Sequence, residues 1–177
     1  MAGTLIVSTI EAQNYKYDSD TTAITVDTTG RILTPARPSI LVDFHSGSAA
    51  GYEEVGNGST LPFRNKVQGV GITQDVSEYA IIIPISGLYQ VNMQVLAEDA
   101  GEGIELAMTV GGVASSNIIL RNYTHETRSC AIHAAWEFSA NDVVRVINNT
   151  GASRGFYRHL LPGDTGRYSY WSTYLIG

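Results

Sequence analysis

The chain reads as an all-β sandwich or barrel, on three observations. Apolar residues recur at every second position in several runs, the spacing of a half-buried strand. No stretch carries the roughly 3.6-residue apolar period of an amphipathic helix. The 18 glycines, together with many threonines and serines, favour turns and strands over helices. The composition suits one filled domain: 177 residues, 44% hydrophobic and 16% charged. A chain of this length can bury roughly 70% of its unfolded surface.

Taken in order, residues 1–37 stand apart. They are rich in Thr and Asp, with strand-like pieces at Thr4–Ile10 and Ala23–Asp27 and a short hairpin candidate around Asp27-Thr28-Thr29-Gly30. They close on Thr34-Pro35-Ala36-Arg37-Pro38, where the prolines favour an extended connection. A boundary is expected near residue 37, with an extended leader (1–37) before a β head (38–177). The leader has too little apolar content for a core of its own and is expected to order by strand addition or wrapping on a partner. No fixed-period repeat is visible.

In the head, Ser39–Phe44 and Tyr79–Ile83 read as strands. Pro84 cannot donate to a ladder and ends the second of them, and Gly87 gives the backbone freedom to reverse. The next strand is the longest. It sets Tyr89, Val91, Met93 and Val95 on one face and Gln90, Asn92 and Gln94 on the other. Gly103–Val110 and Val113–Leu120 follow, with Gly111-Gly112 between them as a hairpin signal. Ser129–Phe138 alternates again: Cys130, Ile132, Ala134, Trp136 and Phe138 inward, His133 and Glu137 outward. Val144 and Val146 continue after the turn at Ala140-Asn141-Asp142, and Tyr168–Ile176 closes the chain.

Four blocks in this order resemble the C1q-like jelly roll of the complement and tumour-necrosis-factor superfamily. Ile81–Val95 is similar to its "F-x-x-P-x-x-G-x-Y-x-F-x-x-x-V" segment, and Leu61-Pro62-Phe63 with Val67 and Gly71 to its "x-P-F-x-x-V-x-x-N" stretch. Trp136–Val144 is similar to its "L-x-L-x-x-G-D-x-V" corner, and Ser169–Ile176 to its closing "S-x-F-S-G-F-L-L" strand. Asn141 and Thr173 stand where the family has Gly, no collagen-like Gly-x-y region precedes the domain, and no calcium ligands match residue by residue. The resemblance covers about residues 38–177. It implies a jelly-roll sandwich of about ten antiparallel strands that assembles as a homotrimer. Tyr89, Met93, Trp136, Phe138, Tyr170, Trp171 and Tyr174 are then expected in the core and the trimer contact, with the strand Tyr170, Trp171, Tyr174 supplying part of the apolar patch between subunits. The leader has a second, shorter resemblance. Met-Ala-Gly-Thr-Leu and Ile24–Pro38 are similar to the amino ends of fibre and structural proteins of marine tailed phages, which implies attachment to a virion.

Chemistry is sparse. The net charge is −6, from 17 acidic and 11 basic residues, a poor balance for nucleic-acid binding. No apolar run reaches the ~18 residues of a membrane span, and the first residues lack a basic n-region, so no signal peptide is expected. Cys130 is the one cysteine, so no intrachain disulfide forms; its place among core positions reads as a small buried hydrophobe. His45, His125, His133 and His159 are far apart and show no zinc spacing, and neither a nucleophile elbow nor a phosphate loop occurs. The acidic pairs Glu53-Glu54 and Glu98-Asp99, with Glu102, read as solvated loop groups, a calcium role being the alternative. No enzymatic activity and no cofactor are expected.

One stretch, residues 154–171, mixes Arg and aromatics as contact surfaces do. Its first part, 154–167, is expected to be an exposed loop. If strands run the full height and alternate in direction, the loops near 97–102, 121–127 and 153–167 share the end away from the leader. Arg154, Phe156, Tyr157, Arg158, His159, Asp164, Arg167, Tyr123 and His125 are therefore the expected recognition tip, with a host surface glycan as partner. The function this implies is a trimeric, non-enzymatic virion protein, either a fibre or receptor-binding head or a capsid-decoration protein; the alternative is a cellular C1q-like ligand-binding protein.

Overall fold

A computed structural model of the chain describes residues 14–16, 22–26, 29, 32–33, 37–44, 51–98, 103–125, 127–157 and 168–176. The chain divides into two compact units, Met1–Arg37 and Pro38–Gly177. In the first, β1 (Asn14–Lys16), β2 (Thr22–Val26) and β3 (Ile32–Leu33) form a small antiparallel sheet in that order. Thr25 lies opposite Leu33 and Val26 opposite Ile32, so the hairpin flanks residues 27–31. These residues pair with one another, where the sequence suggests an extended segment. Thr4–Ile10 lies outside the described residues.

The second unit is a sandwich of antiparallel strands. One sheet has five strands, in the order β11 (Ile118–Thr124), β10 (Ile104–Val110), β13 (Val143–Asn148), β8 (Ala80–Ile82), β7 (Thr73–Asp75). The other has seven and is centred on β9 (Gly87–Ala97). Along one edge of β9 lie β14 (Arg154–Tyr157) and then β15 (Tyr170–Leu175), followed outward by β4 (Ser39–Asp43) and β6 (Asn65–Val70). β5 (Tyr52–Val55) pairs with β14, and β12 (Ser129–Phe138) pairs with the opposite edge of β9.

The period-two pattern dictates the burial. Along β9, Tyr89, Val91, Met93, Val95 and Ala97 are buried, while Gln90, Asn92 and Gln94 are half-buried on the reverse face. β12 runs beside β9 from Ser129 opposite Leu96 to Phe138 opposite Gly87 with no register shift. Cys130, Ile132 and Phe138 are buried, and Trp136 packs half-buried at the margin of the core. The core is knit by edge-on aromatic contacts: Tyr89 with Phe138 at 5.8 Å, Phe63 with Trp171 at 5.9 Å and Phe44 with Phe63 at 6.1 Å between ring centroids. The indole N–H of Trp171 donates to Thr173 Oγ1 at 2.8 Å, and the Tyr89 hydroxyl donates to the Ile85 carbonyl at 2.9 Å.

Pro84 and the Asn141 corner solve one problem together. β8 stops at Ile82, two residues before the proline. The Ile83 amide then donates to the Asp142 carbonyl (3.0 Å), and the Asn141 amide to the Ile83 carbonyl (2.7 Å). Asn141 has φ 70°, a left-handed conformation that Asn tolerates in place of Gly. The sequence is off at the next hairpin. β11 begins at Ile118 rather than near Val113, because Asn117 Nδ2 donates to the Val110 carbonyl (2.7 Å) and closes a wider turn over Gly111-Gly112. Strands β5, β6, β7 and β14 are short and polar, or bulged, and the alternation pattern gave no sign of them.

Candidate interaction surfaces

β9 ends at Ala97 near the start of β12, since Leu96 lies opposite Ser129, and β10 begins opposite the end of β11, Ile104 facing Thr124. The end of β9, the start of β10, the end of β11 and the start of β12 therefore lie at the same end of the sandwich. Tyr123 is exposed there, 6.4 Å from the His125 ring. A Cβ at Gly103 would clash with the hydroxyl end of the Tyr123 side chain, 2.7 Å from its Cζ and Cε2.

The remaining tip residues are distributed differently from the sequence expectation. Residues 154–157 are not loop: they form β14, between β5 and β9. Phe156 is fully buried against Phe44 at 6.5 Å, so it belongs to the core and cannot touch a partner. The strand's alternation turns Phe156 inward and Tyr157 outward, where Tyr157 meets Tyr52 edge-on at 5.6 Å. Gly155 makes room for Glu98, whose Oε2 would lie 2.6 Å from a Cβ at that position. Arg154 opens the strand, half-buried. Arg158, His159, Asp164 and Arg167 lie outside the described residues.

The premise of full-height strands alternating in direction also fails at this point. β14 and β15 both run antiparallel to β9, hence in the same direction, along one edge of it. Tyr157 is opposite Leu96 and Tyr170 opposite Gln94, so the end of β14 and the start of β15 lie two positions apart along the same edge of β9. Ser169 stitches the gap. Its Oγ accepts from the Leu96 amide at 3.0 Å and donates to the Tyr157 carbonyl. A single sequence cannot show such an interruption, because either half looks like an ordinary strand end.

A second surface is the outer face of the seven-stranded sheet. Register sets its rows. One runs Val70, Ser39, Tyr174, Gln90, Ala135; the next Gln68, Leu41, Ser172, Asn92, His133; a third Asn65, Asp43, Tyr170, Gln94, Ala131. Among these rows the one carboxylate, Asp43, is buried and no Lys or Arg occurs. Val70 is 51% exposed and Tyr174 41%; Leu88, one row below, is 41% exposed. A depression of about 550 Å³ opens beside Tyr174, floored by Gly69, Ser39 and Ser172. Gln90 Nε2 and His133 Nδ1 both lie 3.3 Å from Asn92 Oδ1. Trp171 takes no part, being fully buried on the inward side of β15, whereas Tyr170 and Tyr174 face outward.

No group of three or more His, Cys, Asp or Glu that could hold a metal ion occurs among the described residues. Cys130 is buried, its thiol 3.5 Å from the Asn122 carbonyl, and burial pushes its pKa up to about 11, away from nucleophilic use. No helix among the described residues is long and apolar enough to cross a membrane.

No family model and no curated protein matches the chain. Solved structures do. Eiger TNF from S. frugiperda is 18% identical over 80% of this chain and 94% of its own, with a TM-score of 0.59. The globular domain of zebrafish complement 1qA protein is 13% identical over 80% of this chain and 98% of its own, with a TM-score of 0.58. The head has the C1q/TNF-like jelly-roll fold. At these identities the likeness is one of fold.

Proposed function

We propose that the chain is a non-enzymatic virion structural protein: a homotrimeric head of C1q/TNF-like fold, tied to the particle through residues 1–37. The observation that carries the self-association is the outer face of the seven-stranded sheet. Three successive rows hold one carboxylate, itself buried, and no Lys or Arg, yet they display Tyr170, Tyr174, Leu41 and Val70. Depletion of charge with enrichment in Tyr is the composition of an interface core rather than of free surface. The depression beside Tyr174 gives that face a hole for a neighbour's side chain. Rotational closure through unlike patches suits such a knob-and-hole arrangement.

The virion role rests on the leader's resemblance to phage structural proteins. Within it, a fibre or receptor-binding head is the first reading, with Tyr123, His125 and the Tyr52–Tyr157 pair, at the end of the sandwich where β9 finishes, offering aromatic contact to a host surface glycan. Decoration of the capsid is the alternative placement. A cellular ligand-binding protein is the second reading, favoured by the solved proteins of this fold, a TNF and a complement globular domain. Antibody raised against residues 38–177 decides between them. Gold labelling of purified particles, on tail tips or on capsids, supports the virion reading and places the protein; unlabelled particles overturn it. Replacing Tyr123 and Tyr157 by Ser is expected to cut adsorption to host cells while leaving the oligomer intact. Unchanged adsorption removes the tip from the account.

A further inference from the structure

The turn over residues 56–59 carries the chain's single Asn-Gly pair, Asn57-Gly58. Such a pair has chemistry of its own. The glycine amide nitrogen, unhindered by a side chain, attacks Cγ of the asparagine. The Cγ–Nδ2 bond breaks, ammonia leaves with the amide's proton, and water opens the resulting succinimide at either carbonyl to give aspartate or isoaspartate. Asn57 is exposed, so water reaches it. Both reacting groups are nonetheless tied. The Gly58 amide donates to the Asn148 carbonyl at 2.7 Å, and Asn57 Oδ1 accepts from the Gly151 amide at 2.7 Å. Gly58 sits at φ 75°, and the Ser59 amide closes the turn onto the Gly56 carbonyl at 3.0 Å. Beyond the turn the segment runs beside β13. The Asn148 amide donates to the Ser59 carbonyl (3.0 Å) and the Leu61 amide to the Val146 carbonyl (2.8 Å). Asn148 is itself fixed from within the fold. Its side chain is fully buried, its Nδ2 donates to the Val55 and Ala152 carbonyls at 2.8 Å each, and its Oδ1 accepts from the Thr150 amide at 3.1 Å. One side chain thus holds the backbone just before Asn57 and the loop across from it.

We infer that Asn57 is a deamidation site latched shut by the fold, converted only when the segment 56–61 parts from β13. The succinimide step consumes the Gly58 N–H, so its bond to Asn148 is given up before the nitrogen attacks. The Gly151 amide would stabilise negative charge on Oδ1 in that step. It helps only a nitrogen free to turn toward Cγ, and the bond to Asn148 holds the Gly58 peptide plane to β13. Conversion runs one way. Isoaspartate routes the backbone through the side chain and lengthens it by one carbon. Gly58 and Ser59 then fall out of register with Asn148, and both backbone groups of that buried residue lose their partners, a cost that opposes reclosure. One local opening is thereby made permanent. The site lies outside the outer-face rows and the tip residues, and it depends on neither the trimer nor the virion reading.

Incubation of the full chain at mildly alkaline pH in water labelled with heavy oxygen, followed by peptide mapping, tests this. Aspartate and isoaspartate formed during the incubation carry the label and separate by elution. A synthetic peptide of residues 52–63 is the unlatched reference. The native chain is expected to convert about tenfold or more slowly than the peptide, since reaction waits on a local opening. Asn148→Ala unties both sides of the latch and is expected to bring the native rate to within about threefold of the peptide. Thr150→Val removes only the hydroxyl's bonds to the Glu105 backbone, at 3.0 and 3.3 Å, and is expected to give an intermediate rate; it serves if Asn148→Ala does not fold, which circular dichroism reads. Protein aged to isoaspartate at position 57 is expected to exchange its Asn148 amide hydrogen faster than fresh protein. A native rate equal to or above the peptide's overturns the latch, and so does a native rate that the folded variants leave unchanged. Unaltered exchange at Asn148 in the aged protein overturns the permanence of the opening.

Discussion

Removing the Trp171 ring tests the packing of the head most sharply. The side chain is fully buried, packs edge-on against Phe63 at 5.9 Å, and donates its indole N–H to the buried Thr173 hydroxyl at 2.8 Å. Trp171→Ala opens a cavity in the centre of the sandwich, where β15 is held between β9 and β4 and collapse is resisted from both sides. Truncating a large buried aromatic costs about 3–5 kcal/mol, and about 4 is expected here. Trp171→Phe keeps most of the apolar contact but strips Thr173 of its donor, for about 1–2 kcal/mol. Urea unfolding at one fixed protein concentration, followed by the fluorescence of Trp136, the other tryptophan, reads both values with the subunit equilibrium held constant. A loss under about 1.5 kcal/mol for Trp171→Ala, or equal losses for the two variants, refutes the burial and hydrogen bond on which the reasoning rests.

Three further outcomes follow from the same geometry. The Ser77 hydroxyl and the Glu78 and Ser77 amides hold the exposed Asp75 carboxyl below its ordinary 3.8. Its folded-state pKa being depressed, its contribution is complete above 3.8 and is lost as pH falls through the lower folded value; the melting difference between wild type and Asp75→Asn is expected to be constant near neutrality and to vanish in acid, and a gap that persists there contradicts the turn geometry. Cys130 is expected to resist iodoacetamide at pH 8 in the native protein and to react once unfolded, since its thiol titrates at about 11 and is buried; fast native alkylation, read by mass, contradicts its placement. Deleting residues 1–34 is expected to leave a head with an unchanged circular-dichroism spectrum that no longer joins particles; incorporation of the truncated head defeats the anchor reading.

Legibility in the sequence followed physical simplicity. β9 and β12 were readable because each carries a long, unbroken alternation with one face in the core, and β12 starts and stops where the pattern does. The Asn141 corner was readable because a left-handed position admits few residues. Phe156 was not. In sequence, Arg-Gly-Phe-Tyr-Arg looks like an aromatic loop, and only pairing of β14 with β5 and β9 reveals that Phe156 faces inward. The alignment of β14 and β15 along one edge of β9 was hidden for a related reason: it lies in their shared neighbour, bridged by Ser169, and not in any local signal. The outer-face rows are likewise a product of register across five strands, of which the sequence displays only the alternation within each.

The central claim is a head that closes on itself through an uncharged face. Sedimentation equilibrium of residues 38–177 at micromolar concentration tests it most directly, run for wild type and for Tyr174→Arg. Tyr174 is 41% exposed at the rim of the depression, so a guanidinium there leaves the core untouched while burying an unpaired charge in the contact. The account predicts a wild-type mass of three chains, or a multiple of three, and smaller species for Tyr174→Arg at unchanged secondary structure. A stable wild-type monomer contradicts it, and so does a trimer that Tyr174→Arg does not disturb.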